Sequence, residues 1–302
     1  MKIYYLTYPS NKPWASDFTG ENLRKYSLNE VIPIKIKESR LKTDLKDCIN
    51  GIIHLHNIQI IRYIKIEKIK KRNIALIGGI RGKIGFHQYK NRLNEFDALA
   101  VNIDSSLQYE TLKYSKKIYT IPEGVDSDIF KPTSYMIPPG IDINKFKPLN
   151  KKPKEFTIAW VGSDHKSFKN ADLIKKMGVP YRKATYKKYI PHEEMPLFYN
   201  SCDALVNFSE HEGFCLPILE ASACGLSIVT SNVGVAKWII QPRWIVNGNP
   251  RDNIEKFRDK IHVLKDDSEL AFETGQWNFS QAIKFDWRNI TPIYDAMWRA
   301  FY

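Results

Sequence analysis

FSEHEGFCLPILEASACG occupies residues 208–225. It follows an apolar run, CDALVNFS, that reads as a strand. It then crosses a short loop at Gly213 and enters a helix near Pro217 that stops at Gly225. Pro just inside a helix and Gly just past its end is the usual asymmetry. A strand, a glycine loop and a helix in that order place the loop at the carboxyl end of a sheet strand, where open α/β sheets bind ligands. The exposed N–H groups and positive end of the helix suit a phosphate. Glu212 in the loop and Glu220 in the helix start lie eight residues apart. A carboxylate accepts hydrogen bonds from two neighbouring hydroxyls at once, so these two could grip two sugar rings. Acidic residues at a helix start are also ordinary dipole partners, and the residues alone leave both readings open.

The surroundings repeat one grammar. FTIAWVG (156–162) reads as a strand into a glycine turn, NADLIKKMG as a helix with a glycine stop, HEEMPLFYNS as a helix, LSIVTS as a strand and DNIEKFRDKIHVL as a helix. The first half does the same. KIYYLTY, VIPIKI, GIIHLH, NIALIGG, FDALAVNI and KKIYTI read as strands; FTGENLRKYSL, NIQIIRYIKIEKIKK and SSLQYETLKYS read as helices. Alternating strand and helix patterns predict parallel sheets covered on both faces. With 302 residues, 43% of them hydrophobic, the chain is sized for two such domains.

Between the halves one phrase occurs twice: IPEGVDSDIFKP at 121–132 and IPPGIDINKFKP at 137–148. Each copy has Pro to stop a strand ladder, Gly for a turn, Asp to cap and Phe as an anchor. The segment reads as a domain boundary that can bend at two glycines. Local duplication explains it equally well.

Several classes are excluded. No eighteen-residue apolar stretch is present to span a membrane, and MKIYYLTYPS lacks the features of a signal peptide. Cys48, Cys202, Cys215 and Cys224 form no CxxC or metal spacing and read as reduced cytoplasmic thiols. A GxGxxG fingerprint is absent, against a dinucleotide oxidoreductase. The net charge of +13 is spread over KIEKIKKR (65–72), KKPK (151–154) and YRKATYKK (181–188). Solvated helix faces account for it, as does attraction to a phosphorylated substrate, an anionic membrane or nucleic acid.

Taken together, EHEGFCLPILEASACG with its E-x7-E glutamates, DALVNFSEHEGF before it and LSIVTSNVG after it resemble the group 1 glycosyltransferases, family 4 of the retaining enzymes, which have the GT-B fold. FDALAVNIDSSL resembles the end of that family's N-terminal domain, and IPEGVDSDIFKP its interdomain connection. FDWRNITPIYDAMW resembles its closing helix. The resemblance covers most of residues 95–302 and thins over the first ninety.

The resemblance implies a fold of two Rossmann-like parallel-sheet domains facing across a cleft. These would be an acceptor-side domain at 1–132, the duplicated linker at 133–150, a nucleotide-sugar domain at 151–285 and a helix at 286–302 returning to the first domain. It implies that Glu220 holds the donor ribose and Glu212 the transferred sugar. The backbone of Gly213, Phe214, Cys215 and Leu216 would face the diphosphate, and the loop at Tyr189 and Ile190 would cover the base. In VGSDHKSFKN, Gly162 ends the strand and Ser163 stands where the family has Arg. Lys169 falls at its phosphate-binding Lys, and Lys166 is a substitute for the Arg. On the acceptor side, NIALIGGIRG has glycines where the family often has His. His54, His56, Arg81 and His87 remain acceptor-side candidates, although a strand His in HLH is more often packed.

The implied activity is a hexosyltransferase (EC 2.4.1.-) that retains anomeric configuration and uses no catalytic metal or cofactor beyond its donor. A UDP-sugar is preferred over a GDP-sugar. The expected partners are a glycan or lipid-linked acceptor and an anionic membrane face, from a cytoplasmic location at the inner membrane. Nucleic acid ranks lower. A DNA-modifying glucosyltransferase and a binder of sugar nucleotides without turnover stand as alternatives.

Overall fold

The computed structural model describes residues 1–7, 15–36, 45–72, 74–80, 83–101, 118–120 and 155–301. Both copies of the duplicated phrase, the 133–150 linker, the 105–115 helix and Arg81 lie outside these residues. The chain divides into one unit of Met1–Gly124 with Trp287–Tyr302 and a second of Val125–Asp286.

The first unit carries a parallel six-stranded sheet. Its elements run β1 (Lys2–Thr7), α1 (Ala15–Tyr26), β2 (Glu30–Lys35), β3 (Gly51–Leu55), a 3-10 segment (Ile58–Tyr63), α2 (Ile66–Lys70), β4 (Ala75–Ile80), α3 (Lys83–Tyr89), a 3-10 segment (Lys90–Glu95), β5 (Ala98–Val101) and β6 (Ile118–Thr120). The strand order is β2-β1-β3-β4-β5-β6. Ile53, Leu55, Leu76, Leu99 and Val101 pack from the strands onto Ile58, Ile60, Ile61, Ile66 and Ile69. The apolar run NIQIIRYIKIEKIKK is not one helix. Asn57 caps a 3-10 turn by accepting from Gln59 N, and Ile64 is extended before α2 begins. Ile58, Ile60, Ile61, Ile64, Ile66 and Ile69 are all buried. A single helix would turn some of that wide apolar set to solvent.

The glycines of NIALIGG have a packing cause. A Cβ at Gly79 would lie 2.1 Å from the His56 carbonyl oxygen, so β4 approaches the end of β3 only without a side chain there.

The second unit carries a parallel five-stranded sheet of order β11-β10-β9-β7-β8. Its elements are β7 (Ile158–Gly162), β8 (Tyr181–Thr185), α4 (Met195–Asn200), β9 (Ala204–Asn207), α5 (Leu216–Ala223), β10 (Ser227–Ser231), α6 (Ala236–Ile239), β11 (Ile245–Val246), α7 (Ile254–Asp266) and α8 (Ser268–Ala282). Short 3-10 turns at Ser167–Lys169, Leu173–Met177 and His192–Glu194 connect them. NADLIKKMG is therefore a 3-10 turn stopped by a left-handed Gly178, and YRKAT is an edge strand rather than a charged surface run. Trp160, Phe208, Phe257, Ile228 and Ile261 form the core. The chain runs from β7 to β8 on one side and then returns to β9 on the other. The crevice of such a switch opens between the carboxyl ends of β7 and β9.

The last helix, α9 (Trp287–Arg299), belongs to the first unit. Its buried Asp295 accepts from the Ser27 hydroxyl, from Leu28 N at 3.0 Å and from Asn29 Nδ2 at 2.8 Å. These bonds tie α9 to the turn between α1 and β2.

Candidate active site at the β7–β9 switch point

The loops after β7 and β9 are bound to each other. Asn170, left-handed at φ +48°, donates from Nδ2 to the Phe208 carbonyl and to Glu210 Oε1, each at 3.1 Å. Glu210 N donates to the Phe168 carbonyl at 2.9 Å, and the Phe168 and His211 rings stack at 4.1 Å. This lacing brings Lys169 onto Glu212, and Lys169 Nζ donates to Glu212 Oε1. Their side chains are only 15% and 13% exposed, so the pair is largely out of water. Burial by itself lowers the Lys169 pKa. The Glu212 carboxylate, with the Cys215 sulfur next to it, outweighs that and holds the ammonium above the ordinary lysine value.

The Gly213–Leu216 turn is fixed from below. Cys215 is left-handed at φ +69° and forms the N-cap of α5. Ile218 N donates to the Cys215 carbonyl at 3.0 Å, and Val235 N donates to the Phe214 carbonyl at 2.7 Å. Gly234, at φ +52°, lies under this turn, and a Cβ there would stand 2.2 Å from the Phe214 oxygen. The Phe214 ring is buried against Phe285, so its side chain is turned away from the turn's surface. Burial, then the charge on Glu212, pushes the Cys215 thiol well above its ordinary range.

Glu220 is buried on α5. Its Oε2 accepts from the Tyr199 hydroxyl at 2.8 Å, and its Oε1 faces His192 Nε2 at 3.3 Å. Tyr189 and Ile190, half-buried, sit three and two residues before His192. Gly162 ends β7, and Ser163 is buried, its carbonyl accepting from Lys166 N at 3.2 Å. Lys166 is exposed on the same turn. Of the two lysines, Lys169 is the one engaged with the acidic loop.

The acceptor-side candidates separate. His54 is buried among Tyr5, Tyr294 and Trp298, and its Nδ1 accepts from Trp298 Nε1 at 3.2 Å. This is the packed strand histidine that HLH suggested. His56 is buried with Nδ1 2.9 Å from the Tyr5 hydroxyl. His87 is exposed on α3 beside Phe86.

Sequence reading missed His192, Tyr199, Asn170 and Gly234. None carries a pattern that distinguishes it from loop or helix residues. Among the described residues no three His, Cys, Asp or Glu side chains gather as a metal-binding group. No described helix is long and apolar enough to cross a membrane.

Residues 143–276 match the family described as Glycosyl transferases group 1. The O-antigen chain mannosyltransferase B of Escherichia coli is 35% identical over 106 residues, 35% of this chain and 27% of that protein. The serotype-specific mannosyltransferase WbdA of Escherichia coli is 28% identical over 122 residues, 40% of this chain and 15% of that protein. The matches thus span about a quarter or less of the curated relatives' length. Anabaena Alr3699/HepE, solved with UDP and glucose, superposes with TM-score 0.73 at 13% identity, over 99% of this chain and 100% of that one. The sucrose-phosphate synthase of Thermosynechococcus elongatus gives TM-score 0.70 at 15% identity, over 99% and 98%. Residues 143–276 thus match the group 1 glycosyltransferases, and the chain has the two Rossmann-like parallel sheets of the GT-B fold.

Proposed function

We propose that the chain is a retaining glycosyltransferase that moves a hexose-type sugar from a nucleoside-diphosphate sugar to a glycan or lipid-linked acceptor. The observation that carries this reading is the meeting of Lys169, Glu212 and the amino end of α5 at the β7–β9 switch point, with buried Glu220 on the same helix.

Breaking the donor's glycosidic bond builds negative charge on the nucleoside diphosphate. The Lys169 ammonium and the helix-end backbone of Gly213–Leu216 would face that charge, and preorganised donors of this kind lower the barrier. Lys166, exposed on the same turn, would add charge in place of the Arg absent at Ser163. Glu212 would hold the transferred sugar and Glu220 the ribose hydroxyls, while Tyr189 and Ile190 would flank the base. A UDP-sugar ranks first as donor, because structural neighbours hold UDP and UDP-glucose. The curated relatives are named as mannosyltransferases, one of them an O-antigen chain mannosyltransferase, which makes mannose the first hexose to test and a glycan the first acceptor.

The test is a thermal-shift panel of UDP, GDP, ADP and TDP, free and as sugar conjugates, on wild type and Glu220→Ala. A ligand at about 100 times its Kd stabilises by about 2.7 kcal/mol. One nucleotide class is expected to raise the wild-type Tm and leave the variant unmoved. Absence of any shift in wild type would overturn the proposal. Transfer of a labelled hexose, with NMR of the product anomer, then reads the retained configuration.

A further inference from the structure

The Glu220 carboxylate is held from two directions by residues that no sequence motif marks. Tyr199, fully buried on α4, reaches Oε2 at 2.8 Å. His192, on the segment that continues from Tyr189 and Ile190, lies 3.3 Å from Oε1. Burial pushes the Tyr199 hydroxyl well above the ordinary phenol range, and the charge on Glu220 acts in the same direction. The hydroxyl therefore stays a donor at every working pH.

A carboxylate has about four acceptor sites. Two taken by protein donors fix its plane and leave two for a ligand. A glutamate without such contacts rotates about χ3 over a broad range, and a paired-hydroxyl ligand would then have to order it. Neighbouring hydroxyls on one ring match the remaining pair of sites.

We propose that Tyr199 and His192 are positioning residues that lock Glu220 for a ribose 2′,3′-diol. In this arrangement the site selects ribonucleotides over 2′-deoxyribonucleotides, and His192 links that selection to the Tyr189–Pro191 segment. The inference rests on the reading of Glu220 as the ribose-binding group. A purely structural Tyr199–Glu220 bond would alter stability and leave sugar discrimination unchanged.

The experiment measures calorimetric Kd values for UDP, GDP and their 2′-deoxy counterparts on wild type, Tyr199→Phe, His192→Ala and His192→Gln. Wild type is expected to favour the ribo form by about tenfold. Tyr199→Phe and His192→Ala should each weaken ribonucleotide binding roughly three- to tenfold, the worth of one hydrogen bond. Each should leave the 2′-deoxy form nearly unchanged, so the ratio falls toward one. His192→Gln, which keeps a donor, should recover part of it. Should Tyr199→Phe fail to fold, His192→Ala decides alone, because His192 is only half-buried. A wild-type ratio in a variant that binds nucleotide overturns the inference and leaves the donor-site reading intact. No nucleotide binding by wild type overturns both.

Discussion

Replacing Lys169 with Met removes the cation from a pair whose side chains are 15% and 13% exposed. The Glu212 carboxylate then stays largely out of water without its partner. Breaking a buried pair from one side costs about 3 kcal/mol or more, because the remaining charge keeps its desolvation penalty. For a unit of this size, 1 kcal/mol moves Tm by about 2–4 °C, so Lys169→Met should melt roughly 6–12 °C below wild type. The double variant Lys169→Met with Glu212→Gln removes both charges and should recover most of the loss. The cycle then gives a coupling of about 2 kcal/mol or more.

The pair also has a pH signature. The Lys169 pKa is raised on folding. Its contribution is full below the unfolded lysine value of about 10.4 and fades as pH rises through the higher folded value. The gap between wild type and Lys169→Met should therefore close only above pH of about 10.4. Differential scanning calorimetry across pH 7–11, with the two single variants and the double, measures all of this. A Lys169→Met Tm within about 1 °C of wild type, with coupling below about 0.5 kcal/mol, would refute the claim that the two loops meet through a desolvated ion pair.

Gly234→Ala puts a Cβ against the Phe214 carbonyl at a positive φ. It should cost at least about 2 kcal/mol in urea unfolding and weaken nucleotide binding together with it. Asp295→Ala strands the Ser27 hydroxyl, Leu28 N and the Asn29 amide. It should destabilise the first unit by about 3 kcal/mol, with Asp295→Asn recovering part, as read by urea melts. Cys215, buried with a raised thiol pKa, should resist iodoacetamide at pH 8 in the native state and react after denaturation. If the acceptor is lipid-linked, substituting Lys65, Lys68, Lys70 and Lys71 with Gln should weaken binding to phosphatidylserine vesicles at least tenfold, at about 1 kcal/mol per lysine. Unchanged binding would remove α2 from any membrane role.

Much of the architecture was legible in the linear pattern. Strands buried on both faces of a parallel sheet are short apolar runs, so KIYYLT, GIIHL, IAWVG, ALVN and SIVTS announce themselves. Pro217 and Gly225 bracket α5 within a residue or two of its ends. The strand at Tyr181–Thr185 was not legible. An edge strand exposed along part of its length needs no apolar alternation, and Tyr181 and Arg182 are the exposed residues here. The isoleucine run at 58–69 was misread for the converse reason. Its apolar positions all face one core, and the chain reaches that core by a 3-10 turn and an extended step rather than by helical period.

The candidate site divides in the same way. Glu212, Gly213 and Glu220 lie within nine residues on one loop and helix, so local spacing alone marks them. Lys169 is 43 residues from Glu212, and Tyr199 and His192 precede Glu220 by 21 and 28. Nothing in their neighbourhoods predicts those meetings. They follow from the reversal of strand order between β7 and β9, which sets the two loops face to face, and from the packing of α4 against α5. Hydrophobic periodicity and turn chemistry act over a few residues and are written in the chain. Which loops share a crevice is settled by the sheet's strand order, a property of the folded whole.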